Sequence, residues 1–329
     1  MTNGLRVDIT AVPKPDPTYI YNTERVKDTL EQPVLGTTGA FRTVCRYAWI
    51  AENDFIVYPG QPGKSHMHTG LGNLQGFDAF MTADLLQTTG DSNCRGGTAN
   101  RSAYWVMTLL NIQNSKPILP TGTNIYYKGN PTAYDEMHDL PKGLRMIAGD
   151  PNAIVAYNNP FAYRWNCPLN GVNFFSQSIP QDPAKCQIGQ KLALEIFFPP
   201  CWDGQNLDSP DHKSHMSYLR TDVPNKPGQP PTTSGKHKGC PDSHPKQIPH
   251  LSFSFAYPID TDIRNIRILT DVNITATKLP GVGAHGDYTA AWVDRWMQMW
   301  VENCLRAKAD CHSHLLGKDP ADGKFKAIY

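Results

Sequence analysis

His250-Leu-Ser-Phe-Ser-Phe-Ala-Tyr-Pro-Ile259 decides the fold class. Leu251, Phe253 and Phe255 fall on one face of an extended chain, and Ser252 and Ser254 on the other. A period of two is the mark of a strand, because successive side chains leave opposite faces. Lys191–Phe198 is almost continuously apolar, as suits a strand inside a sandwich. Phe41–Ile50, Asp54–Tyr58, Tyr104–Leu110, Thr123–Tyr127, Gly143–Ala148, Ala162–Cys167 and Ile266–Thr275 read as further strands, with Pro59-Gly60 a turn. Ser65–His68 continues extended, and Phe77–Leu86 is expected to form a short helix.

A longer helix is predicted within Tyr288–Lys308. There Val293, Trp296, Met297, Trp300, Val301 and Cys304 repeat at helical spacing. Asp287 or Thr289 is the expected cap. The fold class is therefore mainly β, a β-sandwich or jelly-roll-like core with long loops and one C-terminal amphipathic helix. One domain is expected over residues 41–315, after an irregular N-terminal arm at 1–40 and before a C-terminal tail at 316–329. Pro224–Lys238 is a Pro/Gly-rich loop, read as a lid or an insertion.

A net charge of +1 with only 19% charged residues leaves no basic stripe for nucleic acid or acidic membranes. No run of eighteen apolar residues occurs, so no membrane span is expected. Cys45, Cys94, Cys167, Cys186, Cys201, Cys240, Cys304 and Cys311 form no CxxC pair, which argues against a zinc ribbon or thioredoxin-like site. Their even number fits up to four disulfides and an oxidising compartment. Cys304 and Cys311 can close a small loop after the last helix, and the other pairings stay open. Residues 1–30 lack an apolar signal segment, so a secreted protein is expected whose signal precedes this chain. Asn100-Arg-Ser102 and Asn273-Ile-Thr275 are glycosylation sequons.

Four polar clusters can carry chemistry. His66 and His68 stand two apart on an extended segment, so both rings leave one face, roughly 6–7 Å apart at Cα. Cys201-Trp-Asp-Gly-Gln-Asn-Leu-Asp-Ser-Pro-Asp-His-Lys-Ser-His-Met216 supplies Asp211, His212 and His215. Cys240-Pro-Asp-Ser-His244 and Gly283-Ala-His285-Gly-Asp287 follow. Eight of the eleven histidines lie in or beside these clusters or at the start of the His250 strand.

Imidazoles with carboxylates suit a transition-metal ion. His66, His68, His212 and His215 are the candidate ligands, and Zn, Cu, Mn or Ca the candidate divalent ions. His66, His68, Asp211, His212, His215, His244, His285 and Asp287 are candidate catalytic residues. Tyr127, Arg145, Trp202 and Lys213 are candidate substrate contacts. A metal-free alternative abstracts a proton next to a uronate carboxylate, with Tyr126, Tyr127, Arg145 and Lys213 available. Asp203, Asp208, Asp211 and Asp287 offer carboxylate pairs for glycoside hydrolysis. GxSxG, HExxH, GxxxxGK[ST] and GxGxxG are absent, which removes the serine-hydrolase, zincin, P-loop and Rossmann readings.

The segments 58–69 (YPGQPGKSHMHT), 198–218 (FPPCWDGQNLDSPDHKSHMSY), 239–255 (GCPDSHPKQIPHLSFSF) and 283–292 (GAHGDYTAAW) together resemble one family. It is the secreted, mostly fungal family of domain-of-unknown-function number nineteen-ninety-six, often found beside WSC domains. The Pro59-Gly60 turn with Ser65, His66 and His68 matches its S-x-H-x-H element, and Cys201 to Met216 matches its longest block in full. Cys240, Pro241, His244 and Pro245 match a third element, and Gly283, His285, Asp287 and Trp292 a fourth. The chain departs from the family at the Pro-rich 224–235 insertion and the long polar lead-in. The resemblance implies secretion and an extracellular glycan partner. The expected function is action on extracellular polysaccharide, as hydrolase or lyase, with or without the assistance of a metal ion. A non-catalytic wall- or glycan-binding module and a secreted redox metalloprotein are the alternatives.

Overall fold

The computed structural model describes residues 7–10, 12–36, 38–129, 137–155, 162–219, 239–271 and 279–329. The Pro-rich 224–235 segment, His237 and the Asn273 sequon lie outside the described residues. His250–Pro258 is a nine-residue strand. It lies within an eight-stranded sheet ordered Phe175–Ser176, Tyr163–Asn166, Lys191–Phe197, His250–Pro258, Gly122–Lys128, Ala40–Thr43, Ala309–Asp310, Val34–Leu35. A five-stranded sheet runs Arg145–Gly149, His285–Thr289, Ala103–Met107, His68–Gly72, Tyr47–Ala51.

These two sheets face each other across the main core, giving the expected sandwich. Tyr104 meets Phe253 edge-on at 5.6 Å, and Tyr288 meets Phe198 at 6.3 Å. Tyr104 and Tyr127 join their hydroxyls at 2.9 Å inside that core. The strand period then dictates what the other face of the five-stranded sheet carries. Tyr104, Val106, Gly286 and Tyr288 turn inward, so Trp105, Gly70, Ile147 and Asp287, which are register partners, turn outward. Over most of that outer face a second apolar cluster closes, built from Trp49, Trp105, Phe55, Ile56, Met81 and Leu86. At the end where His68 and His285 begin their strands, polar side chains take its place.

Three local expectations are corrected. Asp54–Tyr58 is a turn, because the Asp54 carboxylate accepts the backbone N–H of Ile56 at 2.8 Å and of Val57 at 3.0 Å. Such a side-chain acceptor competes with ladder bonds. The early helix is confined to Ala83–Thr88, where the Thr82 hydroxyl caps the Leu85 N–H at 3.1 Å. The C-terminal helix starts at Asp294 rather than near Tyr288, and ends in a π-helical stretch, Val301–Arg306. Asp287 and Thr289 are not caps, since His285–Thr289 is paired on both edges. Trp296, Met297, Trp300, Val301 and Cys304 are buried as their spacing predicts. No described helix is long and apolar enough to cross a membrane.

Four disulfides hold the loops: Cys45–Cys94, Cys167–Cys186, Cys201–Cys240 and Cys304–Cys311. The ends of the chain, expected as arm and tail, pair with each other through Val26–Thr29 and Phe325–Ile328. Asn100 is fully buried and bonds the Tyr104 hydroxyl at 2.9 Å, so its sequon presents no glycan acceptor.

Candidate metal centre

His68 opens the strand His68–Gly72, and His285 opens His285–Thr289, with Ala103–Met107 between them. The register pairs His68 with Met107, and the His285 N–H reaches the Met107 sulfur at 3.2 Å. Both histidines therefore sit at the same end of the sheet. His66, two residues ahead of His68, brings its ring to 4.2 Å from that of His68 and 4.8 Å from that of His285. One ring nitrogen from each of the three lies within 4.8 Å of the other two.

Hydrogen bonds and burial set the state of these nitrogens. His285 Nδ1 lies 2.9 Å from the Gly283 carbonyl, which fixes the N–H there and leaves Nε2 as a lone-pair donor. His285 Nε2 is 2.9 Å from His66 Nε2. His68 is fully buried, and no described group meets hydrogen-bond geometry at either ring nitrogen, a backbone group of Asn53 standing near the ring but outside that geometry. Burial pushes His68 well below the ordinary imidazole value, and the other two rings add to the push while a backbone group of Asn53 opposes it. His66 is lowered in the same direction by burial and by His285. Neutral imidazoles are the ligating form. Three imidazole nitrogens suit Zn, Cu, Fe or Mn, whereas Ca takes oxygen ligands.

The cluster lies on the floor of a cavity of about 810 Å³ that His66, His285 and Asp287 line. Burial raises the Asp287 carboxyl well above the ordinary carboxylate value, with Asp54 adding to the rise and Lys213 opposing it. Asp54 lines the same cavity and is also raised, by burial, against the two backbone N–H groups it accepts. Ser65, buried beside His66, has an unpartnered hydroxyl there among the described residues. Asp54 and Ser65 are not among the candidate site residues read from the sequence, although Ser65 stands in the S-x-H-x-H element. The available signal for Asp54 was an Asp three residues ahead of Val57, the spacing of a side-chain-capped turn.

The Cys201–Met216 stretch supplies the opposite wall through Asp211, His212 and Lys213. Cys201–Cys240 and a three-stranded sheet, Met216–Ser217, Cys201–Trp202 and Lys246–Gln247, hold its base. Asp211 accepts from Ser214 N–H, the Ser209 and Ser214 hydroxyls and Lys213 N–H, which hold its carboxylate far below the usual range. It braces the turn and is a poor base. His212 adopts φ 57° and pairs Nδ1 with Asp208 at 3.0 Å, while Lys213 Nζ donates to the Gly149 carbonyl at 2.9 Å.

Of the expected ligands, the structure brings His66 and His68 together, with His285 as the third imidazole of the cluster, and places His212 and His215 apart from it. His215 is buried with Nε2 2.7 Å from the Arg145 carbonyl and Nδ1 2.8 Å from the Ser209 hydroxyl, so both nitrogens are committed. His244 is likewise held, by the Ser214 carbonyl and the Ser243 hydroxyl. Of the expected substrate contacts, Lys213 lines the cavity and three do not. Tyr127 is in the core with its hydroxyl on Tyr104 and Trp292. Trp202 donates its indole N–H to Asn206 within its own loop. Arg145 pairs with Asp208 at 2.9 Å behind the wall.

No curated protein and no solved structure matches this chain. The family model described as a domain of unknown function, DUF1996, matches residues 54–292. That span holds Asp54, the three clustered histidines, Asp287 and the whole Cys201–Met216 wall. The chain belongs to the DUF1996 family.

Proposed function

We propose that this is a secreted, metal-dependent enzyme that cleaves extracellular polysaccharide at the cavity over His66, His68 and His285. The observation that carries the reading is the convergence of three imidazole nitrogens within 4.8 Å on the floor of a cavity large enough for a small oligosaccharide. A bound divalent ion polarises a substrate oxygen or lowers the pKa of a bound water. His212, Lys213, Lys64 and the Ser65 hydroxyl offer sugar hydroxyls polar partners from the walls. Asp54 is a carboxyl in that cavity that can carry a proton to or from the glycosidic oxygen. Secretion is supported by four disulfides, which persist in oxidising compartments.

The test is a panel of neutral and acidic polysaccharides incubated with zinc-, copper- and manganese-loaded protein and read by product mass. Shortened products carrying one added water mark a hydrolase, and unsaturated products without it mark a lyase. A metal-loaded, folded protein that shortens none of them contradicts the proposal.

A further inference from the structure

We propose that Asp287 ligates the same metal ion as His66, His68 and His285, completing a site of three imidazoles and one carboxylate for zinc, iron(II) or manganese(II). The inference rests on reading the histidine cluster as a metal site. Its own support is separate, and begins with two buried polar groups that lack partners side by side.

Asp287 is 1% exposed, and its Oδ2 makes no hydrogen bond among the described residues. The same holds for both ring nitrogens of His68. Asp287 Oδ2 and His68 Nε2 are 4.0 Å apart, too far for a hydrogen bond between them. Roughly 90% or more of buried polar groups in folded proteins are paired, so each such exception calls for an explanation. One cation between these two atoms satisfies both.

Strand geometry supports the same assignment. His285 and Asp287 are two apart on one strand, so their side chains leave the same face of the sheet. His68 enters from the strand on the far side of Ala103–Met107 at the same end. Donors that share one ion at 2.0–2.2 Å lie about 2.8–3.1 Å apart at a right angle and about 3.3–3.6 Å apart at the tetrahedral angle. His66 Nε2 and His285 Nε2 already meet this at 2.9 Å. The gap between His68 and Asp287 needs to close by no more than roughly 1 Å. The donor types also agree, because imidazole with carboxylate is a set for borderline divalent ions.

Metal-stripped wild type and Asp287→Asn are titrated with zinc against a competing chelator, with the thermal midpoint of each stripped protein recorded. Asp287→Asn is expected to bind zinc at least about tenfold more weakly. Its stripped form is expected to melt within a few degrees of wild type, because a neutral amide of the same shape takes the place of the carboxyl. Isotope-edited infrared difference spectra of the wild-type titration provide a second readout that needs no variant. A shift of an aspartate carboxylate band on zinc addition is expected. Equal zinc affinity in a folded Asp287→Asn, or a silent carboxylate band, overturns the fourth ligand and leaves the histidine site standing. A folded wild type that binds no zinc, iron(II) or manganese(II) overturns both readings.

Discussion

His66 Nε2 lies 2.9 Å from His285 Nε2, although 219 residues separate them in the chain. The five-stranded sheet makes this contact, because His68–Gly72 and His285–Thr289 flank Ala103–Met107 on opposite sides. Close packing beside that sheet is therefore a condition for the site. At Gly70 a Cβ would stand 2.0 Å from Trp49 Cε2, so the indole lies directly on the backbone two residues from His68. Gly70→Ala is expected to cost about 1–3 kcal/mol or more, as overpacking does. Urea unfolding of the metal-stripped proteins measures it.

The two buried rings give stability a pH dependence. In the unfolded chain they titrate near about 6.5, whereas burial holds His66 and His68 well below that value in the fold. Below about pH 6.5 the unfolded state then binds more protons. Stability that is intact above this pH is lost as pH falls toward the folded values, with a slope approaching about 1.4 kcal/mol per pH unit per ring. Asp287 acts with the opposite sign, since its raised folded value makes the folded state the better proton binder below that value. Comparing metal-stripped wild type with His68→Asn isolates one ring. The variant's thermal midpoint should fall less between pH 7 and 5, and parallel profiles contradict the assignment.

His215 carries a different expectation. Both of its nitrogens are bonded, to Arg145 and Ser209, and its ring is buried. His215→Ala leaves buried partners unsatisfied and is expected to lower stability by about 1–3 kcal/mol. Metal content should not change, because its nitrogens face the protein rather than the cavity. Denaturation paired with elemental analysis of the same sample checks both halves.

What was legible in the sequence divides along physical lines. Local periodicity showed the Leu251, Phe253, Phe255 face and the Trp296 to Cys304 stripe, since each depends on residues a few positions apart. The His66–His68 pair was legible for the same reason. Its third partner was not. His212 and His215 resembled ligands by composition, but the chain spends His215 on bracing a turn and His212 on Asp208, and no spacing rule encodes that. His285 joins only through sheet order, a long-range fact. Tyr127 is a candidate sugar contact by residue type alone, and its strand phase turns it inward to Tyr104.

The Cys201–Cys240 bond closes a separation of 39 residues at the base of the wall. Loop-closure entropy assigns such a crosslink about 4 kcal/mol. Replacing both cysteines with alanine should therefore lower the thermal midpoint while leaving the metal in place, because His66, His68 and His285 stand on other elements. Loss of metal from a folded double variant would tie the wall to the centre more tightly than the geometry does.

The most direct measurement is metal content per chain, by elemental analysis, after saturation and desalting. Wild type, His212→Ala and His215→Ala should each retain one transition-metal ion. His66→Ala, His68→Ala and His285→Ala should retain little or none while remaining folded by circular dichroism. A metal-free wild type, or retention that follows His212 and His215 instead of His285, contradicts the account.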